Sequence, residues 1–256
     1  MKFNDVPVII KGPDGKKILV VLGDRNIETH YGVIDPSKIE KLPATHLTSS
    51  EIEVLIYLPS YTDFVLNMKR GAQIIYPKDV SSILLDGDIW NGAVVLEIGS
   101  GSGALTLALV LSVGDAGYVF SIDNNQKNQY RASKTIERFL QHKEIINRNY
   151  EFINIEAEDV DISKFNKNIS HVITDIPEPW SVVGKFDIKT NIKWISYLPN
   201  ISQVQLINES LIEHGYTNIY IKEIIEREWR VKGKVVRPEH NLKGHTGFLV
   251  FADYLV

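Results

Sequence analysis

Cysteine is absent from the 256-residue chain. That excludes structural disulfides and zinc–thiolate centres. It equally excludes any mechanism that uses a cysteine nucleophile. Long apolar runs are missing too: nothing approaches the roughly eighteen uninterrupted apolar residues of a membrane-spanning helix. The opening MKFNDVPVIIKGPDG is too short in its apolar part, and too soon broken by Gly12-Pro13, to read as a secretory leader. The expectation is a cytoplasmic protein with no membrane partner. Excess charge of either sign is also lacking. Twenty-eight Lys and Arg against 32 Asp and Glu leave a net charge of −4, so an anionic partner would have to meet a local basic patch. No internal repeat or low-complexity tract is present. The length suits one large domain, or a small one beside a medium one.

The chain changes character along its length. Up to about residue 60 it reads as strands ended by turn residues: ILVVLG (18–23) before Asp24, HYGVID (30–35) before Pro36, and IEVLIYLPS (52–60) around Pro59. Beyond that, strands alternate with helices. VVLEIG (94–99), YVFSID (118–123), FINIEAED (152–159) and HVITDI (171–176) are apolar strands. ALTLALVLSV (104–113) and NQYRASKTIERFLQH (128–142) have helical spacing. This alternation predicts an α/β fold with a doubly wound, mostly parallel sheet, and the continuous apolar strands predict burial on both faces. TGFLVFADYLV (246–256) is a late strand expected antiparallel on the sheet edge. The domains are read as 1–62, small and β-rich, and 63–256, Rossmann-like.

Glu97-Ile-Gly-Ser-Gly-Ser-Gly103 follows one strand and opens a helix, the context that gives a glycine loop meaning. Asp123 ends the next strand, where a carboxylate can accept from ribose hydroxyls. Nicotinamide sites use G-x-G-x-x-G. The form here is G-x-G-x-G with Glu97 just ahead of it. That form suits S-adenosylmethionine, a cationic ligand with no pyrophosphate, although a ligand-free tight turn gives the same pattern. In the stretch Ile155-Glu156-Ala157-Glu158-Asp159 a second acid is expected to take the cofactor's adenine amino group; an acid at a strand end is otherwise a surface residue.

DIPEPW (175–180) closes the fourth strand of this half. Pro177 and Pro179 fix φ and remove two backbone donors, and the residues before them are driven to extended conformations. The loop is therefore stiff, and Asp175 leads it at the carboxyl end of a strand, where open α/β sheets bind ligands. An exocyclic amine donates to such a carboxylate. An adenine N1 that attacks a methyl group acquires positive charge, which the same carboxylate stabilises. The alternative is an Asp that merely caps its loop.

Seven stretches together resemble one family. They are YTDFVLNMKR (61–70), RGAQIIYPKD (70–79), the E-x-G-x-G-S-G loop (97–103), DIPEPW, YLPNISQV (197–204), REWRVKGKVVRPEH (227–240) and GHTGFLVFA (244–252). The chain resembles the single-gene archaeal and bacterial tRNA (adenine-58-N1)-methyltransferases. The resemblance implies an S-adenosyl-L-methionine-dependent enzyme without a metal, a tRNA substrate methylated at adenine 58, or at 57 and 58, and a homotetramer. By resemblance, Asp175 is the catalytic acid, with Tyr76 and Tyr197 at the target base. Gln73, Ile75, Glu97, Gly99, Gly101, Ser102, Gly103, Ala104, Asp123, Asn128 and Asp159 fall to the cofactor, alongside Asp175. Family members usually carry Glu at position 123 and often a basic or imidazole side chain at position 128. Asp123 and Asn128 depart from that and bear on cofactor affinity.

Arg230, Lys232, Lys234, Arg237 and Lys243 stand against one acid, Glu239. Alone this is a solvated face; with the resemblance, Arg230, Lys232, Lys234 and Arg237 become candidate RNA contacts on a hairpin or loop. Tyr76 and Tyr197 read either as packing residues or as stacking surfaces for a base. Trp180 reads as packing and His245 as a satisfied structural imidazole. Two rivals remain: a non-catalytic tRNA-binding subunit, and a methyltransferase for another substrate. Methylation of a pyrimidine C5 needs a thiolate and is excluded.

Overall fold

The computed structural model describes residues 5–68, 73–145, 149–186, 189–240 and 243–256. It divides into two compact units, Met1–Gly71 with Ser133–Ile146, and Ala72–Ala132 with Asn147–Val256.

The first unit holds β1 (Val6–Lys11), β2 (Lys17–Leu22), β3 (Ile27–Thr29), β4 (Gly32–Ile34), β5 (Ala44–Leu47), β6 (Glu53–Tyr57) and α1 (Tyr61–Asn67). Four strands form an antiparallel sheet in the order β2-β1-β6-β5, and β3 pairs with β4. In β6 exposed and buried residues alternate, as expected for a sheet with one wet face. Val8, Ile10, Leu22, Ile34, Val54 and Ile56 are buried together with Tyr31 and Ile39. Ser60 starts α1 with a reciprocal cap: its hydroxyl accepts from the Asp63 N–H while the Asp63 side chain accepts from the Ser60 N–H.

The second unit carries α2 (Pro77–Asp86), β7 (Val94–Ile98), α3 (Ala104–Val113), β8 (Tyr118–Ile122), the start of α4 (Gln126–His142), β9 (Tyr150–Ile153), β10 (His171–Thr174), β11 (Ile192–Leu198), α5 (Ile201–Glu213), β12 (Thr217–Glu223), β13 (Trp229–Lys232), β14 (Val235–Pro238) and β15 (Phe248–Tyr254). Seven of these strands make one sheet in the order β12-β15-β11-β10-β7-β8-β9. The pairs from β9 through β11 are parallel, and β15 runs antiparallel to both β11 and β12. The expected α/β architecture is present, with a separate small antiparallel β region.

Burial explains the apolar strands. All four residues of β10 are buried, and α3 is apolar all round because most of its surface is covered. Trp194 in β11 is fully buried between Phe186 and Tyr216, with ring centroids 5.8 Å away on each side, and its indole N–H donates to Ser196 Oγ at 2.9 Å.

Besides β11 and α5, which the sequence reading does not pick out, two details differ from it. The last strand is antiparallel but internal; β12 takes the edge, and its mostly exposed, half-polar sequence TNIYIKE carries little strand signal. FINIEAED stops being a strand at Ile153, and Ala157–Asp159 form one turn of 3₁₀ helix. β9, β8, β7 and β10 are parallel, so the loops after them share one edge, and the winding of the sheet reverses between β7 and β10. That is the topological switch point where such sheets hold ligands.

Candidate active site

Those four loops close on one another through the main chain. Gly99 has φ +103°, and a Cβ there would lie 2.4 Å from the Asp175 carbonyl oxygen. Only glycine permits this approach. The Gly99 and Ser100 N–H groups donate to the Ile122 carbonyl at 2.8 and 3.1 Å, and the Asp175 N–H donates to the Ile98 carbonyl at 2.9 Å. Asp123 takes the Gly101 N–H on one oxygen at 2.9 Å and the Asn125 N–H on the other at 2.7 Å. The glycine loop, Asp123 and Asp175 are thus held as one piece.

A cavity of about 570 Å³ opens here, within the size range of small-molecule sites. Gln73, Ile98, Gly99, Gly101, Asp123, Asn124, Asn128, Glu156, Glu158, Asp175, Pro177 and Glu178 contribute to its wall, and among the described residues no Lys, Arg or His lines it. Such a wall suits a cationic ligand with hydroxyl and amine donors. It does not suit a pyrophosphate. Removal from water, with the Asp123 charge adding to it, raises the Asp175 carboxyl to about 7.

Glu97 lies fully buried beneath the loop, not on the cavity wall. Thr106 and Ser121 donate their hydroxyls to its Oε2, while Oε1 has no hydrogen-bond partner among the described residues. Burial raises its pKa to about 8, so it carries a proton at neutral pH.

The other expected cofactor residues divide. Gln73, Gly99, Gly101, Asp123, Asn128 and Asp175 line the cavity; Ile75, Ser102, Gly103 and Ala104 do not. Ile75 is a core residue, and Gly103 is the left-handed cap of α3. Asp159 belongs to a different depression, with Phe120, Glu151 and Asp161. The reason is local. Its N–H bonds back to the Glu156 carbonyl at 3.1 Å, and the tight turn sends successive side chains in different directions. Glu156 and Glu158 are the acids at the cavity, and Asn124 donates its side-chain N–H to Glu156 at 2.9 Å. The sequence places an acid in this pentapeptide without showing which one.

Tyr76 and Tyr197 share a neighbourhood. Tyr76 is the cap of α2, held extended by Pro77 in the first helical position. Tyr197 stands near the end of β11, and its hydroxyl donates to the Thr246 carbonyl at 2.6 Å. Burial, and the nearby Asp79, Asp175 and Tyr76, raise its pKa well above the usual tyrosine range. Lys243 Nζ sits 3.7 Å from the centroid of the Tyr76 ring, within cation–π reach. Lys78, Asp79 and Thr246, to which the sequence assigns no role, form a hydrogen-bonded cluster at the start of α2. His245 is satisfied by Glu223 at 2.7 Å and the Pro199 carbonyl at 2.8 Å. Trp180 packs against the core.

The basic segment is a hairpin. Arg230 faces Arg237 across β13 and β14, and Val231 faces Val236. Alternation puts Arg230, Val235 and Arg237 on one face and Trp229, Val231, Val236 and Pro238 on the other. Lys234 follows Gly233 in the turn, and the Lys232 side chain lies outside the described residues. Trp229, Val231 and Val236 are 58%, 67% and 62% exposed, an apolar face without cover in the single chain.

Comparison with known proteins adds the remaining information. Residues 54–237 match the family described as "tRNA methyltransferase complex GCD14 subunit". The chain is similar to the tRNA (adenine(57)-N(1)/adenine(58)-N(1))-methyltransferase TrmI of Methanocaldococcus jannaschii, 31% identical over 93% of this chain and 91% of that one. It is similar to the tRNA (adenine(58)-N(1))-methyltransferase TrmI of Thermus thermophilus, 30% identical over 95% of each. Among solved structures, tRNA (m1A58) methyltransferase TrmI of Aquifex aeolicus superposes with a TM-score of 0.82 at 26% identity, covering 99% of this chain and 98% of that one. A SAM-dependent O-methyltransferase of Thermotoga maritima superposes with a TM-score of 0.88 at 27% identity, covering 98% and 94%. Fold, cavity and sequence agree, and the chain belongs to the family of tRNA adenine-N1 methyltransferases to which the GCD14 subunit gives its description.

Proposed function

We propose that the chain transfers a methyl group from S-adenosyl-L-methionine to N1 of adenine 58, or of adenines 57 and 58, in tRNA. The observation that carries this reading is the cavity at the switch point of a methyltransferase sheet, whose charged groups among the described residues are all acids. When bound, the cofactor supplies an electrophilic methyl group on a sulfonium centre. In this reading Asp123 accepts from its ribose hydroxyls, and Glu156 or Glu158 accepts from its adenine amine.

Asp175 accepts from the N6 amine of the target adenine and orients the ring. The N1 lone pair is free at neutral pH, so no residue has to remove a proton before attack. The charge that then appears on the purine is met by the Asp175 carboxylate in a partly dry site. A cationic ligand beside Asp175 favours its ionised form and lowers its raised pKa. Tyr76 and Tyr197 hold the extruded base; extrusion costs a few kcal/mol, and stacking on an aromatic face contributes about 1–3 kcal/mol.

The basic face of the hairpin contacts tRNA phosphates. Its apolar face docks on other copies of the chain in a homotetramer, which in this reading works in the cytoplasm where tRNA is modified. The O-methyltransferase neighbour supports a second reading, a hydroxyl acceptor deprotonated by Asp175.

One assay separates the readings. Unmodified tRNA transcript is incubated with the purified chain and labelled cofactor, and its nucleosides are read by mass spectrometry and primer extension. N1-methyladenosine that stops extension at 58, or at 57 and 58, is the expected result. Measurable cofactor binding without incorporation into tRNA overturns the substrate assignment.

A further inference from the structure

The sequence Tyr76-Pro77-Lys78-Asp79 looks like a helix start with two surface charges. The structure buries both: the side chains of Lys78 and Asp79 are 6% and 0% exposed. Lys78 Nζ donates to Asp79 Oδ1 at 2.7 Å, to the Ile224 carbonyl at 2.7 Å and to Thr246 Oγ1 at 2.6 Å, which uses all three of its hydrogens. Asp79 sits in the first turn of α2, where the helix dipole favours an acid. Its second oxygen accepts from Thr246 Oγ1 at 2.7 Å. Buried charges of this kind are retained only when paired and bonded, and here they are.

What the cluster holds is informative. Thr246 gives its hydroxyl to the Lys78–Asp79 pair and its carbonyl to the Tyr197 hydroxyl. Gly247 leaves room for the same ring: a Cβ there would fall 2.5 Å from the Tyr197 Cζ. At the other end, the Tyr76 carbonyl accepts the Asp79 N–H at 2.9 Å and the Val80 N–H at 3.0 Å, so Tyr76 is fixed by the very turn that carries the ion pair. One threonine therefore ties the start of α2, with Tyr76, to the end of β11, with Tyr197.

From this geometry we infer that Lys78, Asp79 and Thr246 are positioning residues that set Tyr76 and Tyr197 relative to each other, and thereby place the acceptor base for transfer. The inference rests on the reading of the two tyrosines as the base-holding pair. Lys78 and Asp79 are not among the residues that line the cavity; the ion pair acts through Thr246.

The test uses the full chain with Thr246→Val, which keeps the volume and removes the hydroxyl, and Thr246→Ser, which restores it. Methyl transfer is assayed well below the melting temperature of each variant. Thr246→Val is expected to lose at least tenfold in kcat, with its Kd for S-adenosylmethionine within twofold of wild type, and Thr246→Ser to recover most of the loss. A purely structural role would lower the melting temperature and leave kcat and its rescue pattern unmoved; that result overturns the inference. Asp79→Asn, which also preserves shape, gives the same comparison should Thr246→Val fold poorly. A second readout is independent of the substrate. In the chain labelled with 3-fluorotyrosine, the Tyr197 resonance, identified by its loss in Tyr197→Phe, is expected to shift in Thr246→Val and return in Thr246→Ser. An unmoved resonance overturns the inference even if tRNA is the substrate; a moved one without methylation of tRNA keeps the link from Thr246 to Tyr197 and overturns the base-holding role instead.

Discussion

The cavity and the hairpin use charge in opposite ways. At the cavity, acids that follow three successive strands converge and are partly withdrawn from water, so Asp123 and Asp175 feel each other and Asp175 is raised to about 7. On the hairpin, Arg230 and Arg237 face each other in solvent, with Glu239 and His240 beside them, and the repulsion is screened. Desolvated charge selects a ligand through the cost of leaving it unmatched. Solvated charge gives general attraction that salt weakens. A net charge of −4 therefore says little about either site.

The comparison breaks most visibly at Asp175. Asp175→Ala should lose about a hundredfold or more in kcat while binding of cofactor and tRNA persists. In the wild type the acid limb of kcat/KM, which reports the ligand-free protein, should lie near pH 7 and mark the ionisation of Asp175, with the limb of kcat at lower pH. Wild-type turnover in the variant refutes the assignment.

The hairpin should give the mirror image. Lys232→Ala/Lys234→Ala/Arg237→Ala should weaken tRNA binding and flatten its salt dependence, by about one unit of slope for each phosphate no longer neutralised, with kcat at saturating tRNA preserved. Unchanged tRNA affinity in the triple variant removes the phosphate-binding role.

The smallest effect sharpens the cavity side. Glu97 holds a proton in the folded chain up to about 8, whereas the unfolded chain releases it in the ordinary carboxylate range. Between those values the folded state binds more protons, so stability falls as pH rises through the window. Glu97→Gln cannot ionise. Its melting temperature relative to wild type should therefore be higher at about pH 9 than at about pH 5. A difference that does not vary with pH would mean that Glu97 is not the titrating group.

Legibility in the sequence follows how local each feature is. The glycine loop, Asp123 and DIPEPW can be read because strand, turn and helix start are contiguous, and the loop geometry demands glycine at position 99. The strand β12 escapes the sequence reading because an edge strand with exposed polar residues lacks the apolar signature. Which acid of 155–159 reaches the cavity is not legible, because the direction of a side chain in a single tight turn is not written in residue types: Glu156 and Glu158 line it, and Asp159 lies in another depression. Ser102, Gly103 and Ala104 go to the cofactor with the whole motif, yet only the earlier part of the loop reaches the cavity.

By itself the sequence determined an α/β methyltransferase fold, the strand ends that carry the cavity acids, though not which acid of 155–159, and a basic segment read as a hairpin or loop, because periodicity and turn chemistry act over a few residues. Only the tertiary structure decided that Lys78 and Asp79 are buried and that Thr246 joins them to Tyr197, since those partners lie far apart in the chain. The same holds for Glu97, an acid before a glycine loop in sequence and a protonated, water-free group once α3 and β8 close over it with Thr106 and Ser121. Burial is a property of everything that packs around a residue, and no local pattern encodes it.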